Sequence, residues 1–319
     1  MNKIFILEPR AGLCNQLGCI SLGILLGIMY NRDIYFDGFQ LDYKNEEQLI
    51  DFKKIININA LKTFVQKKGF HINILDALTT DNQHKVQNIY SERSSMIRDI
   101  KDIYSVLELK ENQDAMILNI KNPISTYIHE NMKSLYEDIK LNICFNEHFV
   151  NIADRIKKHF QLKNYCCIHL RMEDDAIDFM KRLLNKNNFE LINDIYKQVY
   201  LSEIEKIVEK NVKYIYVCTS LNIYENKNNL FYEIIKKKYN LIDKSDILNK
   251  IQFEGIDMAL NRRELYGIID YIIAQDSLYF VGCDWSSFSL AIKNHHDSKN
   301  KSSNLLKIWK TCENAFQTK

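Results

Sequence analysis

The segment "YCCIHLRMEDD" (residues 165–175) runs from a continuous apolar stretch directly into charged side chains. Its first half predicts a buried β-strand, because short apolar runs of this kind suit a strand that is covered on both faces. His169, Leu170 and Arg171 fall where that strand ends. Ligands bind open α/β sheets at the carboxyl ends of the strands, so the segment predicts both a parallel sheet and a ligand site.

Strands and helices are predicted to alternate on both sides of this segment. The predicted strands lie at 3–7, 33–36, 165–170, 212–220 and 278–282, with a further short one at 239–243. The predicted helices lie at 15–30, 187–210, 229–238, 257–275 and 286–296. Such alternation is typical of a parallel sheet with helices on both faces. We therefore predict an α/β protein of GT-B-like architecture, in which two Rossmann-like, doubly wound domains face each other across a cleft.

The chain of 319 residues is long enough for two domains of ordinary size. We place an N-terminal domain at 1–155, a C-terminal domain at 156–302 and a C-terminal helix at 303–319, which follows the polar linker "DSKNKSSN" (297–304). Between 45 and 150 the pattern is less clear, with helical periodicity around 96–110 and again around 130–160.

Composition excludes several classes of partner. The 43 Lys and Arg residues nearly balance the 41 Asp and Glu residues, so no nucleic acid or anionic membrane partner is indicated. The eight cysteines show no CxxC pair and no zinc-site spacing, which favours buried, reduced thiols. The run "LGCISLGILLGIMY" (17–30) is short and interrupted by glycines, and Glu8 and Pro9 come too early for a signal peptide. We expect a cytoplasmic chain without membrane insertion.

Arg171 suits a phosphate clamp, since its planar fork donates parallel hydrogen bonds and stays charged. One alternative is a surface ion pair with Glu173 or Asp175. Another is a divalent metal held by Glu173, Asp174 and Asp175. The metal ranks last, because a cation would be repelled by the adjacent arginine and carboxylates alone make no complete shell here.

The loop "GLCNQ" (12–16) leads from a predicted strand into a predicted helix. A turn of this kind offers free backbone N–H groups to an anion. The alternative is that Asn15 is simply the N-cap of the helix.

Two further groups of polar residues occur near the last predicted strand. Asp270 lies within an apolar helix, so it needs a partner, either a protein cation or a base edge with two N–H donors such as guanine. Ser286, Ser287 and Ser289 open the helix after the strand at 278–282 and can present hydroxyls and amides to a pyrophosphate. A serine-capped helix without a ligand is the alternative.

These segments resemble the GDP-fucose-dependent fucosyltransferases of GT-B fold, closest to the protein O-fucosyltransferase-like family. "GLCNQ" is similar to that family's Gly-x-x-Asn-Gln loop. "HLRMEDD" (169–175) is similar to its His-Leu-Arg-x-Glu-x-Asp motif. "SSFS" (286–289) resembles the Ser-Phe loop that follows a late strand of the family.

The resemblance implies a role for each matched residue. It implies catalytic roles for Arg171, Asn15, Glu173 and Asp175, and donor-binding roles for Gly12, His169, Asp270, Ser286, Ser287 and Phe288. Arg171 is expected to bind the donor phosphates and neutralise the leaving GDP, as preorganised donors do elsewhere. His169 and Asp270 are expected to contact guanine, and Asn15 to lie near the fucose and the acceptor.

The resemblance further implies GDP-fucose as donor, a protein or glycan acceptor, inversion at the anomeric carbon, and no metal ion or cofactor. It also implies that the N-terminal domain faces the acceptor while the C-terminal domain binds the nucleotide sugar.

The sequence departs from the family pattern at two places. Some relatives carry a glutamate as general base just ahead of the asparagine in the first loop, where this chain has Gly12. Related enzymes carry an arginine pair where this chain has Arg171-Met172. We therefore hypothesise an oxocarbenium-like route in which the acceptor proton is lost late. The alternatives are a GT-B enzyme that uses another nucleotide sugar, a catalytically silent relative that binds a glycan or protein, and a nucleotide-binding protein with an accidental match.

Overall fold

The structure is a computed structural model that describes residues 3–42, 45–78, 86–89, 101–121, 128–210, 212–221, 223–224, 226–250 and 263–317. Contacts divide the chain into two compact units. Unit 1 comprises Met1–Phe149 and Phe253–Leu265, and unit 2 comprises Val150–Gln252 and Tyr266–Lys319. The predicted domain boundaries at 155 and 302 stay predictions.

Four strands of unit 1 form one parallel sheet. In order across the sheet they are β2 (Asp33–Phe36), β1 (Ile4–Glu8), β6 (Ile117–Lys121) and β5 (Val86–Ile89). A separate antiparallel pair consists of β3 (Phe39–Asp42) and β4 (Asn45–Ile50). The helices are α1 (Leu13–Tyr30), α2 (Phe52–Ile55), α3 (Ile58–Lys67), α4 (Lys101–Glu108), α5 (Lys110–Asp114) and α6 (Lys133–Leu141), with a 3₁₀ turn at Glu130–Met132.

The helix α1 packs against the sheet through two glycines. A Cβ at Gly23 would lie 2.2 Å from Cδ1 of Leu7, and one at Gly27 would lie 2.6 Å from Cδ1 of Ile34. Because Leu7 is on β1 and Ile34 is on β2, the missing side chains let the helix backbone approach both strands. The glycines within this apolar run therefore serve close packing.

The helix α1 is also long and apolar enough to cross a bilayer, with a mean hydropathy of 1.6 over 18 residues. However, 67% of it is buried inside the protein, as in the core helix of a globular fold. A signal sequence near an N-terminus has a similar composition. Localisation thus stays a prediction.

Unit 2 contains a second parallel sheet. In order across the sheet its strands are β10 (Ser302–Leu306), β9 (Tyr279–Cys283), β7 (Cys166–His169) and β8 (Ile215–Cys218). Its helices are α8 (Asp174–Leu184), α9 (Phe189–Glu209), α10 (Asn229–Tyr239), α12 (Ser287–Ser298) and α13 (Ile308–Gln317), with a 3₁₀ helix at Lys244–Lys250. Two helices contain residues of both units, α7 (Glu147–His159) and α11 (Arg263–Asp276).

The strand order of unit 2 reverses beside β7. The chain passes from β7 outward to β8, then returns to the other side of β7 to form β9 and continues outward to β10. The loops after β7 and β9 therefore leave neighbouring strands in opposite directions. Such a reversal opens a crevice at the carboxyl ends of the strands, where ligands bind in this class of fold.

The structure confirms the predicted α/β class, its parallel sheets and most of the predicted elements. Two predictions were wrong. The short strand at 239–243 is not formed, because Tyr239 ends α10 and only Ile242 pairs, in an isolated bridge with Tyr216. Residues 302–306 form the edge strand β10, and the last helix begins only at Ile308. The serines and asparagine of that segment suggested a linker, but pairing with β9 overrides such local preferences. The helix periodicity at 130–160 is divided between α6 and α7. The parts of the predicted helices at 96–100 and 257–262 lie outside the described residues.

Candidate functional site

Three of the residues predicted from the sequence, His169, Arg171 and Ser286, lie at the carboxyl ends of β7 and β9 in unit 2. His169 is the last residue of β7, and Arg171 follows two residues later. Ser286 follows β9 by three residues and caps α12. Because β7 and β9 are neighbours, their two loops lie at the same edge of the sheet, beside the reversal of strand order.

Arg171 is held by two carboxylates. Its Nη1 donates to Oε2 of Glu173 at 2.9 Å and to Oδ1 of Asp175 at 3.2 Å. Its Nη2 donates to Oδ2 of Asp175 at 2.8 Å. The ion-pair alternative is therefore present in the structure. The metal alternative loses support, because Glu173 and Asp175 already accept hydrogen bonds from the arginine.

The ion pairs leave one edge of the Arg171 guanidinium open. A guanidinium has five N–H donors, and the three bonds above leave two, one on Nε and one on Nη2. In a planar guanidinium these two point in the same direction, which is the geometry that suits two oxygens of one phosphate. No residue in the described part of the chain accepts from either. The side chain remains 20% exposed.

Burial by itself disfavours the charged form of Arg171, but Glu173 and Asp175 outweigh it and hold the pKa of the guanidinium above its usual value. The arginine stays charged at every working pH. Arg171, Glu173 and Asp175 together carry one net negative charge. The site would therefore bind a phosphate through oriented hydrogen-bond donors and not through net positive charge.

Neighbouring strand ends fix the position of this cluster. Oε1 of Glu173 accepts from the backbone N–H of Ser220 at 3.1 Å and from its hydroxyl at 2.8 Å. The hydroxyl of the buried Tyr200 accepts from the backbone N–H of Arg171 and donates to the carbonyl of His169. The backbone of Arg171 and the side chain of Glu173 are thus preorganised.

His169 is buried and neutral. Burial lowers its pKa to about 3. The negative charge of Glu173 opposes this shift, while the positive charges of Arg171 and Lys244 add to it. Its Nδ1 lies 2.8 Å from Oγ of Ser289, and that oxygen already accepts from the backbone N–H of Cys283. The hydroxyl of Ser289 therefore donates its proton to Nδ1, which places the imidazole proton on Nε2. His169 then has a donor for a ligand.

Aromatic rings and helix amides complete this edge. The ring of Phe288 lies 4.6 Å from that of His169 and contacts Tyr271 edge-on at 5.7 Å. The hydroxyl of Ser286 accepts from the backbone N–H of Ser289, so the predicted serine cap is present. Ser287 is exposed. Within the described chain, no acceptor pairs with the backbone N–H of Ser287 or Phe288, which leaves two amides at the positive end of α12.

Asp270 has protein partners. Its Oδ2 accepts from Nζ of Lys244 at 2.5 Å and its Oδ1 from the hydroxyl of Tyr216 at 2.8 Å. Burial raises the pKa of Asp270 to about 6, although Lys244 and the hydrogen bonds oppose that shift. Of the two partners considered for this residue, the structure contains the protein cation. A direct contact with guanine stays a prediction.

Gly12 and Asn15 lie in unit 1, at the start of α1. The N-cap is Gly12 and Asn15 is the third helical residue, so the alternative that Asn15 caps the helix was wrong. The backbone N–H of Leu13 donates to Oε2 of the buried Glu264 at 2.6 Å. The anion that this helix end binds in the structure is therefore a carboxylate of the same unit.

Sequence reasoning missed several residues that shape the site. Ser220 follows β8 in the same way that Arg171 follows β7, so the strand-end argument already pointed to it. Ser289 was noted only for its hydroxyl, not as the partner of His169. Lys244 and Glu264 gave no local signal, because their partners are distant in sequence.

The structure gives no evidence of a metal-binding cluster: across its described ranges, no group of three or more His, Cys, Asp or Glu side chains could hold an ion. All eight cysteines are free, and six of them are buried.

The parallel sheets and the polar crevice of unit 2 define a Rossmann-like α/β protein with a nucleotide-type site. A family profile described as GDP-fucose protein O-fucosyltransferase matches residues 39–299. The chain therefore belongs to this family and is a GDP-fucose-dependent fucosyltransferase. The expected family and enzyme class are confirmed.

Solved structures support the same fold. The crystal structure of POFUT1 in complex with GDP superposes with a TM-score of 0.64 at 14% identity, covering 96% of this chain and 99% of that one. POFUT1 in complex with GDP-fucose gives 0.60 at 14% identity, with 96% and 98% covered. The fucosyltransferase NodZ from Bradyrhizobium gives 0.54 at 11% identity, with 92% and 93% covered. The predicted GT-B-like fold is thereby confirmed. No curated protein sequence matches the chain significantly.

Proposed function

We propose that this enzyme transfers fucose from GDP-fucose to a hydroxyl of a protein or glycan, with inversion and without a metal ion. The observation that carries the proposal is the open Nε and Nη2 edge of Arg171, which Glu173 and Asp175 hold in place at the carboxyl end of β7. A planar pair of donors in a preorganised setting is what a diphosphate leaving group requires.

The diphosphate would lie between Arg171 and the start of α12. The free N–H groups of Ser287 and Phe288 add two donors and the positive end of a helix dipole. The exposed hydroxyl of Ser287 adds a third donor, while that of Ser286 serves the helix cap. These neutral donors offset the net negative charge of the arginine cluster.

The guanine base would contact His169 and Phe288. The imidazole donates through Nε2 and stays neutral, so the contact survives across the physiological pH range. The ring of Phe288 supplies an apolar surface. A contact between Asp270 and guanine stays part of the proposal, and it requires a carboxylate oxygen that already accepts one bond to accept a second.

Bond cleavage places negative charge on the departing GDP, and Arg171 stabilises that charge in the transition state. The acceptor hydroxyl attacks the opposite face of the sugar, which inverts the anomeric carbon. We propose that its proton is lost late, to water, and that Asn15 of unit 1 lies near the fucose and the acceptor. Glu173 and Asp175 are occupied by Arg171, so they act by orienting it.

Calorimetric titration with GDP, GDP-fucose and UDP in the presence of a chelator tests the donor site. We expect binding of both guanine nucleotides, none of UDP, and loss of binding in Arg171→Ala. The matched control is Arg155→Ala, an exposed arginine of the same unit with no ion pair in the described chain. Binding of UDP in place of GDP would favour the enzyme that uses another nucleotide sugar. Binding of GDP-fucose without hydrolysis or transfer would favour the silent relative.

The anomeric configuration of the product tests inversion, and NMR of fucose released or transferred from GDP-fucose measures it. Retention would contradict the proposed single displacement. We further propose a cytoplasmic enzyme, which the burial of α1 within unit 1 supports. Fractionation of the native protein into membrane and soluble pools checks this, and recovery with the membranes would contradict it.

A further inference from the structure

Lys244 is a charged residue in the core of unit 2. Its side chain is only 2% exposed, and it begins the 3₁₀ helix Lys244–Lys250. A buried ammonium is costly unless it is paired and hydrogen-bonded. Nζ satisfies this with two bonds, one to Oδ2 of Asp270 at 2.5 Å and one to the backbone carbonyl of Thr219 at 2.7 Å.

The bond to Thr219 connects Lys244 to the candidate site. Thr219 and Ser220 form the loop that follows β8, and Ser220 donates twice to Glu173. Glu173 in turn accepts from Nη1 of Arg171. A further anchor of the loop is the hydroxyl of Thr219, which donates to the carbonyl of Leu170 at 3.2 Å. An unbroken series of contacts therefore runs from Asp270 to Arg171.

We propose that Lys244 is a positioning residue for Arg171, acting through the Thr219–Ser220 loop and Glu173. The inference rests on the proposed function, in which Arg171 binds the donor diphosphate. Asp270 fixes the ammonium of Lys244, the ammonium fixes the carbonyl of Thr219, and the loop presents Ser220 to Glu173. Asp270 then supports the phosphate site indirectly, through Lys244 and the Thr219–Ser220 loop, whether or not it also contacts guanine.

Two readouts on Lys244→Met test the proposal. The first is hydrogen exchange at the backbone amides of Ser220 and Leu221, which donate to Glu173 and to the hydroxyl of Thr219. We expect exchange at least about tenfold faster in the variant, since opening of this loop becomes easier. This readout needs no nucleotide. The control is Lys157→Met, which removes the ion pairs to Asp154 and to Asp276, the last residue of α11, and leaves the contacts of the Thr219–Ser220 loop given above intact.

The second readout is a double-mutant cycle on GDP affinity. We expect Lys244→Met to weaken GDP binding by about tenfold or more, as small misplacements of a binding group do. In the Arg171→Lys background the same substitution should have little further effect, because it acts through the arginine. If Lys244 acted only on overall stability, or through contacts with the guanine base, Lys244→Met would lower GDP affinity equally in both backgrounds. If Lys244→Met does not fold, Lys244→Gln, which keeps a polar donor on a shorter side chain, is tested by the same two measurements.

The outcomes separate this inference from the proposed function. Unchanged exchange at Ser220 and Leu221, or equal losses of GDP affinity in both backgrounds, would overturn the role of Lys244. Absence of GDP binding by the wild-type protein would overturn the proposed function, while the exchange measurement would still decide whether Lys244 holds the loop.

Discussion

The guanidinium of Arg171 and the carboxylate of Asp175 form two nearly parallel hydrogen bonds, Nη1–Oδ1 at 3.2 Å and Nη2–Oδ2 at 2.8 Å. This pair explains why a cluster of carboxylates follows the arginine in the sequence. Asp175 occupies the end of the fork, and Glu173 takes the remaining hydrogen of Nη1. The Nε side of the fork is thereby turned away from the carboxylates. The ion pair and the phosphate clamp are therefore compatible.

Replacing Arg171 by lysine should weaken GDP binding by about tenfold or more, although the positive charge remains. An ammonium cannot donate two parallel bonds to one phosphate and cannot satisfy Asp175 and Glu173 as a fork does. Calorimetric titration of Arg171→Lys measures the effect, with Arg155→Lys as the control. Wild-type affinity in Arg171→Lys would show that charge alone serves this position.

Asp175→Asn and Glu173→Gln should lower GDP affinity and turnover together, each by about tenfold, because both carboxylates act by orienting Arg171. Parallel titration and fucose-transfer assays measure the two quantities on the same preparation. The informative contrary result is a variant that binds GDP normally and has lost turnover. That result would assign the carboxylate to the acceptor proton and contradict the late loss of the proton.

Ser289→Ala should lower GDP affinity by several-fold, because Nδ1 of His169 loses its donor and the imidazole is free to place its proton on either nitrogen. Ser298→Ala, at the exposed end of the same helix, is the control. NMR of the imidazole nitrogens reports the tautomer directly. A wild-type protein with its proton on Nδ1 would contradict the assignment made from the hydrogen bonds.

His169 should make the protein less stable in acid. The pKa of the imidazole is about 3 in the folded state against an ordinary 6.5, so between these values only the unfolded chain binds the proton. The free energy of unfolding should therefore fall as the pH decreases from 6.5 towards 3, by up to about 1.4 kcal/mol per pH unit from this group. In His169→Asn that contribution disappears. Urea unfolding of both proteins at several pH values measures the difference, and identical slopes would contradict it.

Gly23→Ala and Gly27→Ala should each destabilise the protein by about 1–3 kcal/mol, despite the better helix propensity of alanine. The added methyl group would overlap Leu7 or Ile34 on the sheet. Gly18→Ala is the matched control in the same helix, since its Cβ would meet only the hydroxyl of Tyr136 at 3.9 Å. Its expected effect is a gain of about 0.5–1 kcal/mol. Equal effects at the three positions would show that helix propensity decides all of them.

The sequence by itself determined the class of fold and the edge at which the site lies. A short apolar run such as Cys166–Ile168 predicts a strand that is covered on both faces, and the polar residues directly after it mark the end of that strand. The spacing in "HLRMEDD" (169–175) also places the carboxylates of Glu173 and Asp175 within reach of Arg171, because they are only two and four residues away. Short-range relationships of this kind are encoded in the order of residues.

The tertiary structure decided which partner each polar group meets. Asp270 pairs with Lys244, His169 with Ser289, and Leu13 with Glu264, over separations of 26, 120 and 251 residues. The edge strand β10 likewise forms because β9 supplies its hydrogen-bond partners. The local sequence indicates only that a buried carboxylate or imidazole needs a hydrogen-bond or ion-pair partner. Which one it finds depends on how strands far apart in sequence become neighbours in the sheet.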